Sequence, residues 1–143
     1  MTPALKIVRI VLVEDNPADV LLIRTALREK GIACELTCFE DGRKALKGLA
    51  RRGGEAPDLI LLDLNLPDTE GVEVLGKIRS MPRLLDVPVV ILTSSESPSD
   101  MQRAARMGAT RFLRKPSGLE DFFREVGRSV AEILATAQGK ERF

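Results

Sequence analysis

Short apolar runs alternate along the chain with stretches of helical spacing, and each run stops at a polar residue. Ile10-Val11-Leu12-Val13 ends in Glu14-Asp15, Leu59-Ile60-Leu61-Leu62 in Asp63, and Val89-Val90-Ile91-Leu92 in Thr93-Ser94. The shorter Phe112-Leu113-Arg114 ends in Lys115-Pro116. Runs of this length, interleaved with helical patterns, predict strands buried on both faces of a parallel sheet. Ligands of such open sheets gather at the carboxyl ends of the strands. One sheet edge is therefore expected to collect Glu14, Asp15, Asp63, Thr93 and Lys115: carboxylates, a hydroxyl and an ammonium. That mixture suits a divalent cation beside a phosphoryl group.

The helices fall between the runs. Asn16-Pro17 reads as an N-cap with proline at the first helical position, and Gly31 closes a helix carrying Ile23, Ala26 and Leu27 at helical spacing. A short strand is expected at Glu35–Phe39, then the turn Asp41-Gly42 and a helix from Arg43 to Arg52. Residues 66–71 form a loop before a helix that faces Val72, Leu75 and Ile78 inward. Ser97-Pro98 repeats the cap-plus-proline signal for a helix ending near Gly108. Ser117 and Glu120 read as a capping box opening a long last helix with Leu119, Phe122, Phe123, Val126, Val130, Ile133 and Leu134 on its apolar stripe. The order is (βα)₅, an α/β doubly wound fold, in a single domain spanning residues 1–143. Gly53-Gly54 is a plain loop.

Composition narrows the function. With 22 basic and 21 acidic residues the net charge is +1, too small to draw the chain to nucleic acid or an anionic membrane. The Arg51-Arg52 pair is too short to be a basic patch. The chain has no histidine, hence neither the usual general base nor the commonest transition-metal ligand. Cys34 and Cys38 flank the second strand on one face and read as small apolar core residues rather than a disulfide or metal pair. No apolar run approaches the ~20 residues of a membrane span, and the polar start is no signal peptide. A soluble, reduced, cytoplasmic setting is the expectation.

Position by position, the chain resembles the receiver domain of bacterial two-component response regulators over nearly its full length. Glu14-Asp15 fits that family's acidic pair, Asp63 its phosphoacceptor, Thr93 its hydroxyl residue, and Lys115-Pro116 its lysine and proline. The proline and glycine of the loop from Leu66 to Gly71 follow the same pattern. The resemblance implies a flavodoxin-like sandwich with strand order 2-1-3-4-5 and phosphoryl transfer from a sensor histidine kinase to Asp63. It implies Mg²⁺ or Mn²⁺ held by Asp15 and Asp63, by Glu14 through water, and by the backbone carbonyl of Asn65. Lys115 and Thr93 would each take a phosphoryl oxygen, and Phe112 would stand where the family carries a switching aromatic. The run at 14–19, Asn65-Leu66-Pro67 and Thr93-Ser94-Ser95 further resemble the stand-alone regulators paired with bacterial phytochrome kinases.

The cation has a chemical reason. A carboxylate is a poor nucleophile toward a phosphodianion because the two repel, and a hard divalent cation absorbs that charge. Other classes fit less well. A phosphatase of the haloacid dehalogenase type needs a second acid two residues after its nucleophile, where Asn65 stands. A flavodoxin-type carrier needs a phosphate loop where Glu14-Asp15 would repel the cofactor. A degenerate receiver acting only as a binding module would lack one of the site residues. Finally, a helix from Ser117 to Ala137 would span about 30 Å, so its distal turns are expected to overhang the sheet. Exposed Ile133 and Leu134 would then form a homodimer interface with the neighbouring strand and helix, unless they fold back on the first helix as core.

Overall fold

In the computed structural model, which describes residues 7–51 and 54–140 and the last three of these by backbone alone, the alternation is regular. The elements are β1 (Val8–Val13), α1 (Pro17–Glu29), β2 (Cys34–Phe39), α2 (Gly42–Leu49), β3 (Leu59–Leu62), α3 (Gly71–Arg79), β4 (Val89–Thr93), α4 (Pro98–Arg106), β5 (Arg111–Arg114) and α5 (Leu119–Lys140), with a 3₁₀ turn at Pro82–Leu84. All pairings are parallel, in the order β2-β1-β3-β4-β5. The crossover from β2 to β3 passes β1 and brings the ends of β1 and β3 side by side, with Asp63 N–H donating to Val13 O at 3.0 Å.

Alternate residues of each central strand feed two cores. Val11, Val13, Ile60, Leu62, Val89 and Ile91 meet α2, α3 and α4. Ile10, Leu12, Leu59, Leu61, Val90 and Leu92 meet α1 and α5. This two-sided burial is why these strands carry no polar alternation.

The local start signals behave as their chemistry requires. The Asn16 side chain accepts the N–H groups of Ala18 and Asp19 with Pro17 in the first turn, and Ser97 accepts that of Asp100. Such caps contribute about 1 kcal/mol each. Gly31 takes φ +78° after α1, a left-handed conformation a Cβ disfavours. At the start of α5 the expected capping box does not form. The helix begins at Leu119 with Phe122 N–H bonded to Gly118 O, so Gly118 rather than Ser117 sits at the cap. α2 ends at Leu49, capped by Ala50, short of the expected Arg52. Arg52 itself, Gly53 of the following loop and residues 141–143 lie outside the described residues.

Two further expectations are corrected. The turn of α5 that carries Ile133 and Leu134 does not overhang: both are only 8% exposed and join Val8, Leu59 and Val90 in the core under α1 and α5. The helix is long because the sheet's lower end needs cover. The exposed patch invoked for a dimer is therefore not there. The cysteines, on edge strand β2, are not both core: Cys34 is half-buried, whereas Cys38 is exposed and accepts a contact from Arg24 at 3.6 Å.

Candidate functional site

At the carboxyl end of the sheet, the residues predicted for the site converge. Glu14 and Asp63 follow directly on β1 and β3, Thr93 ends β4 and Lys115 follows β5. Glu14, Asp63 and Thr93 are buried, at 3, 5 and 0% exposure, while Asp15 is exposed. Burial of polar groups at strand ends is tolerated only with partners, and the partners are present. Lys115 Nζ donates to Glu14 Oε1 at 2.5 Å, to Asp19 Oδ2 at 2.8 Å and to Asp63 Oδ2 at 3.2 Å. Its own N–H is pinned to Thr93 O at 2.8 Å, so β4 sets where the lysine starts.

The other carboxylate oxygens are also engaged. Glu14 Oε2 accepts the Asn16 N–H at 3.2 Å and Asp63 Oδ1 the Asn65 N–H at 3.1 Å. The loop after Asp63 can fold this tightly because Gly71 N–H bonds Leu64 O at 2.9 Å, and a Cβ on Gly71 would lie 2.5 Å from Asp63 O. Asp15 opens onto a shallow cleft of about 490 Å³ whose other wall is residues 64–70. Thr93 Oγ1 accepts the Ser95 N–H at 3.3 Å and a long 3.5 Å contact from Asn65 Nδ2. Phe112 is half-buried against the core under α3 and α4.

The electrostatics are those of a site with surplus negative charge. Burial pushes the Glu14 carboxyl up to about 7, with Asp63 repulsion adding to it and the Lys115 hydrogen bond opposing it. For Lys115, burial alone would lower the ammonium's pKa. Its hydrogen bonds to Asp19 and Glu14 and the charges of Asp63 and Glu14 overcome that and raise it above its ordinary value.

Glu14, Asp15 and Asp63 each bring a carboxylate oxygen to within 4.8 Å of the others. Such an all-oxygen set fits a hard cation such as Mg²⁺ or Mn²⁺ rather than zinc.

Asp19 and Asp68 also stand on this rim, where the sequence pattern alone does not assign them. Asp68 reaches from the β3–α3 loop to the N–H groups of Gly42 and Arg43, both at 2.9 Å, and these bonds hold its carboxyl below the usual range. The signal for Asp19 was available in the cap: Asn16-Pro17 sets the helix register and puts Asp19 in the first turn, beside the rim.

The profile of the response regulator receiver domain matches residues 10–126. The response regulator Rcp1 of Synechocystis sp. is 39% identical over 121 residues, covering 82% of each chain. Among solved structures, the phosphorylated cyanobacterial phytochrome response regulator RcpA superposes with a TM-score of 0.84 at 36% identity, over 92% of this chain and 96% of that one. The Mn²⁺-bound form of Rcp1 gives 0.78 at 38% identity, over 85% and 90%. Sheet order, rim chemistry and likeness in sequence agree, and the chain belongs to the response regulator receiver domain family.

Proposed function

We propose that Asp63 is the phosphoacceptor of this receiver and that its phosphorylation switches protein–protein contacts. The observation that carries this reading is Lys115 Nζ at 3.2 Å from Asp63 Oδ2, within the Glu14, Asp15 and Asp63 cluster. A carboxylate oxygen of Asp63 attacks phosphorus, the P–N bond to the kinase's phosphohistidine breaks as the O–P bond forms, and the imidazole leaves. Asp15 and Asp63 would hold Mg²⁺ or Mn²⁺ directly, Asn65 through its backbone carbonyl, and Glu14 through water. Bound there, the cation supplies the positive charge that offsets repulsion between two anions. Lys115 moves its donor from Asp63 to a phosphoryl oxygen, and Thr93 turns its hydroxyl toward another. Phe112 then fills space that the Thr93 loop vacates. The chain promotes only its own phosphorylation and dephosphorylation.

The donor is a sensor histidine kinase, and the likeness to the phytochrome response regulator RcpA favours a bacteriophytochrome. We place this exchange in the cytoplasm; among the described residues no helix is long and apolar enough to cross a membrane. Self-association would use α4, β5 and α5, where Met101 and Met107 are exposed; sedimentation of the phosphorylated and unphosphorylated chain decides it. The function itself is tested by incubation with acetyl phosphate and Mg²⁺ and peptide mass spectrometry. One phosphoryl group on Asp63 is expected, absent without metal. Uptake at another residue, or none, would overturn the assignment, and none would favour a binding module that works without phosphate.

A further inference from the structure

The Lys115 ammonium has three N–H donors, and three carboxylates take them. Two of these acceptors belong to the reacting centre. Asp63 becomes an acyl phosphate and gives up its charge, and Glu14 lies in the acidic trio that suits a cation. Asp19 is different. It sits on α1, outside that trio, with Asp19 Oδ2 at 2.8 Å from Nζ and a side chain 25% exposed against 2% for Glu14. Its backbone N–H is held by the Asn16 cap at 3.3 Å, and proline in the first turn fixes the local φ. The carboxylate is thus mounted on a rigid helix start, where an anion is also favoured by the helix dipole. Of the lysine's acceptors it is the one that chemistry at Asp63 leaves unchanged.

We propose that Asp19 is a positioning residue that anchors the Lys115 ammonium through phosphorylation and dephosphorylation, acting on the phosphoryl group only through the lysine. Lysine needs such an anchor. Its stem has four rotatable bonds and its ammonium is a point charge without a fixed fork, so a single moving partner does not define its position. Once Asp63 is an acyl phosphate, Asp19 supplies the opposing pull that keeps Nζ over the rim instead of in solvent. The kinetic part of this inference rests on Asp63 being the phosphoacceptor; the anchoring itself does not.

Two measurements on the full chain separate those claims. In metal-free protein, acetic anhydride labelling of Lys115, followed by peptide mass spectrometry, reads how firmly the amine is held. Asp19→Ala and the isosteric Asp19→Asn should each raise it severalfold relative to the other lysines. Unchanged labelling in both variants overturns the anchor, whether or not the protein takes up phosphate. Second, with acetyl phosphate at saturating Mg²⁺, Asp19→Ala should slow uptake about tenfold, the worth of one hydrogen bond to a charged group. In a Lys115→Ala background the same substitution should change little. An undiminished effect there means that Asp19 acts by another route and sinks the proposal. Absence of uptake in the unsubstituted chain counts against the phosphoacceptor reading, and the labelling result still decides the anchor.

Discussion

Two cations are held at opposite ends of this sheet in opposite surroundings. At the lower end Arg79, on the last turn of α3, donates to backbone carbonyls of Leu84 at 2.9 Å, Val87 at 2.8 Å and Gly108 at 3.0 Å. At the upper end Lys115 donates to three carboxylates. Burial pulls the Arg79 guanidinium below its ordinary pKa, with Asp86 only partly offsetting it, whereas the carboxylates drive Lys115 the other way. Neutral acceptors tied into backbone cannot leave, so Arg79 joins α3, the 3₁₀ turn and the α4–β5 loop into one fixed unit. Its guanidinium suits this because the planar fork reaches several carbonyls at once. The Lys115 site holds more negative charge than the lysine neutralises, and such a cluster can exchange one partner for a cation or a phosphoryl oxygen. Partners that are part of the backbone stay with their cation; partners that are charged side chains at a rim can be replaced.

Asp63→Asn is the sharpest test of the upper site. Phosphoryl uptake from acetyl phosphate should fall to background, because the amide is no nucleophile, while the fold persists by circular dichroism. Full labelling of this variant would remove the functional half of the comparison.

Arg79→Met should have the next largest effect, and on stability. Four carbonyls would lose the guanidinium, of which Leu84 O keeps the Val87 N–H, at a cost of about 2–4 kcal/mol in urea unfolding. Mg²⁺ affinity and uptake on Asp63 should stay as they were; a loss of either would mean that the lower cation is coupled to the rim.

Asp15→Ala probes the opposite pairing of effects. Stability should change little, since Asp15 is exposed. Mg²⁺ affinity should drop by at least about tenfold, as metal sites do even when an outer partner is lost. Titration showing equal affinity would reduce Asp15 to a loop acid.

Thr93→Ala carries the smallest effect. The variant should accept phosphate, yet the partner response should weaken by a coupling of about 1–3 kcal/mol, because the new acceptor no longer draws the loop inward. Normal partner binding in this variant would place the switch elsewhere.

The corrected end of α5 suggests how the lower half is built. Ile133 and Leu134 are core, so truncation after Val130 should unfold the chain rather than free a monomer, at roughly 2–5 kcal/mol for each side chain removed.

Much of this was legible in the sequence because it is local. Continuous apolar runs mark strands covered on both sides, and a cap such as Asn16-Pro17 or Ser97-Pro98 acts within one helical turn. That the runs end at Glu14, Asp63, Thr93 and Lys115 follows from the chain alone once they are strands of a parallel sheet. What needed tertiary structure is non-local. The approach of Lys115 to Asp19, 96 residues apart in sequence, depends on strand order and on α1 and α5 sharing a face. The burial of Ile133 and Leu134 depends on how far the sheet extends beneath α5, which no periodicity within that helix records. Periodicity says which side of an element is apolar. Only packing decides how much of that side is covered, and which distant charge meets which.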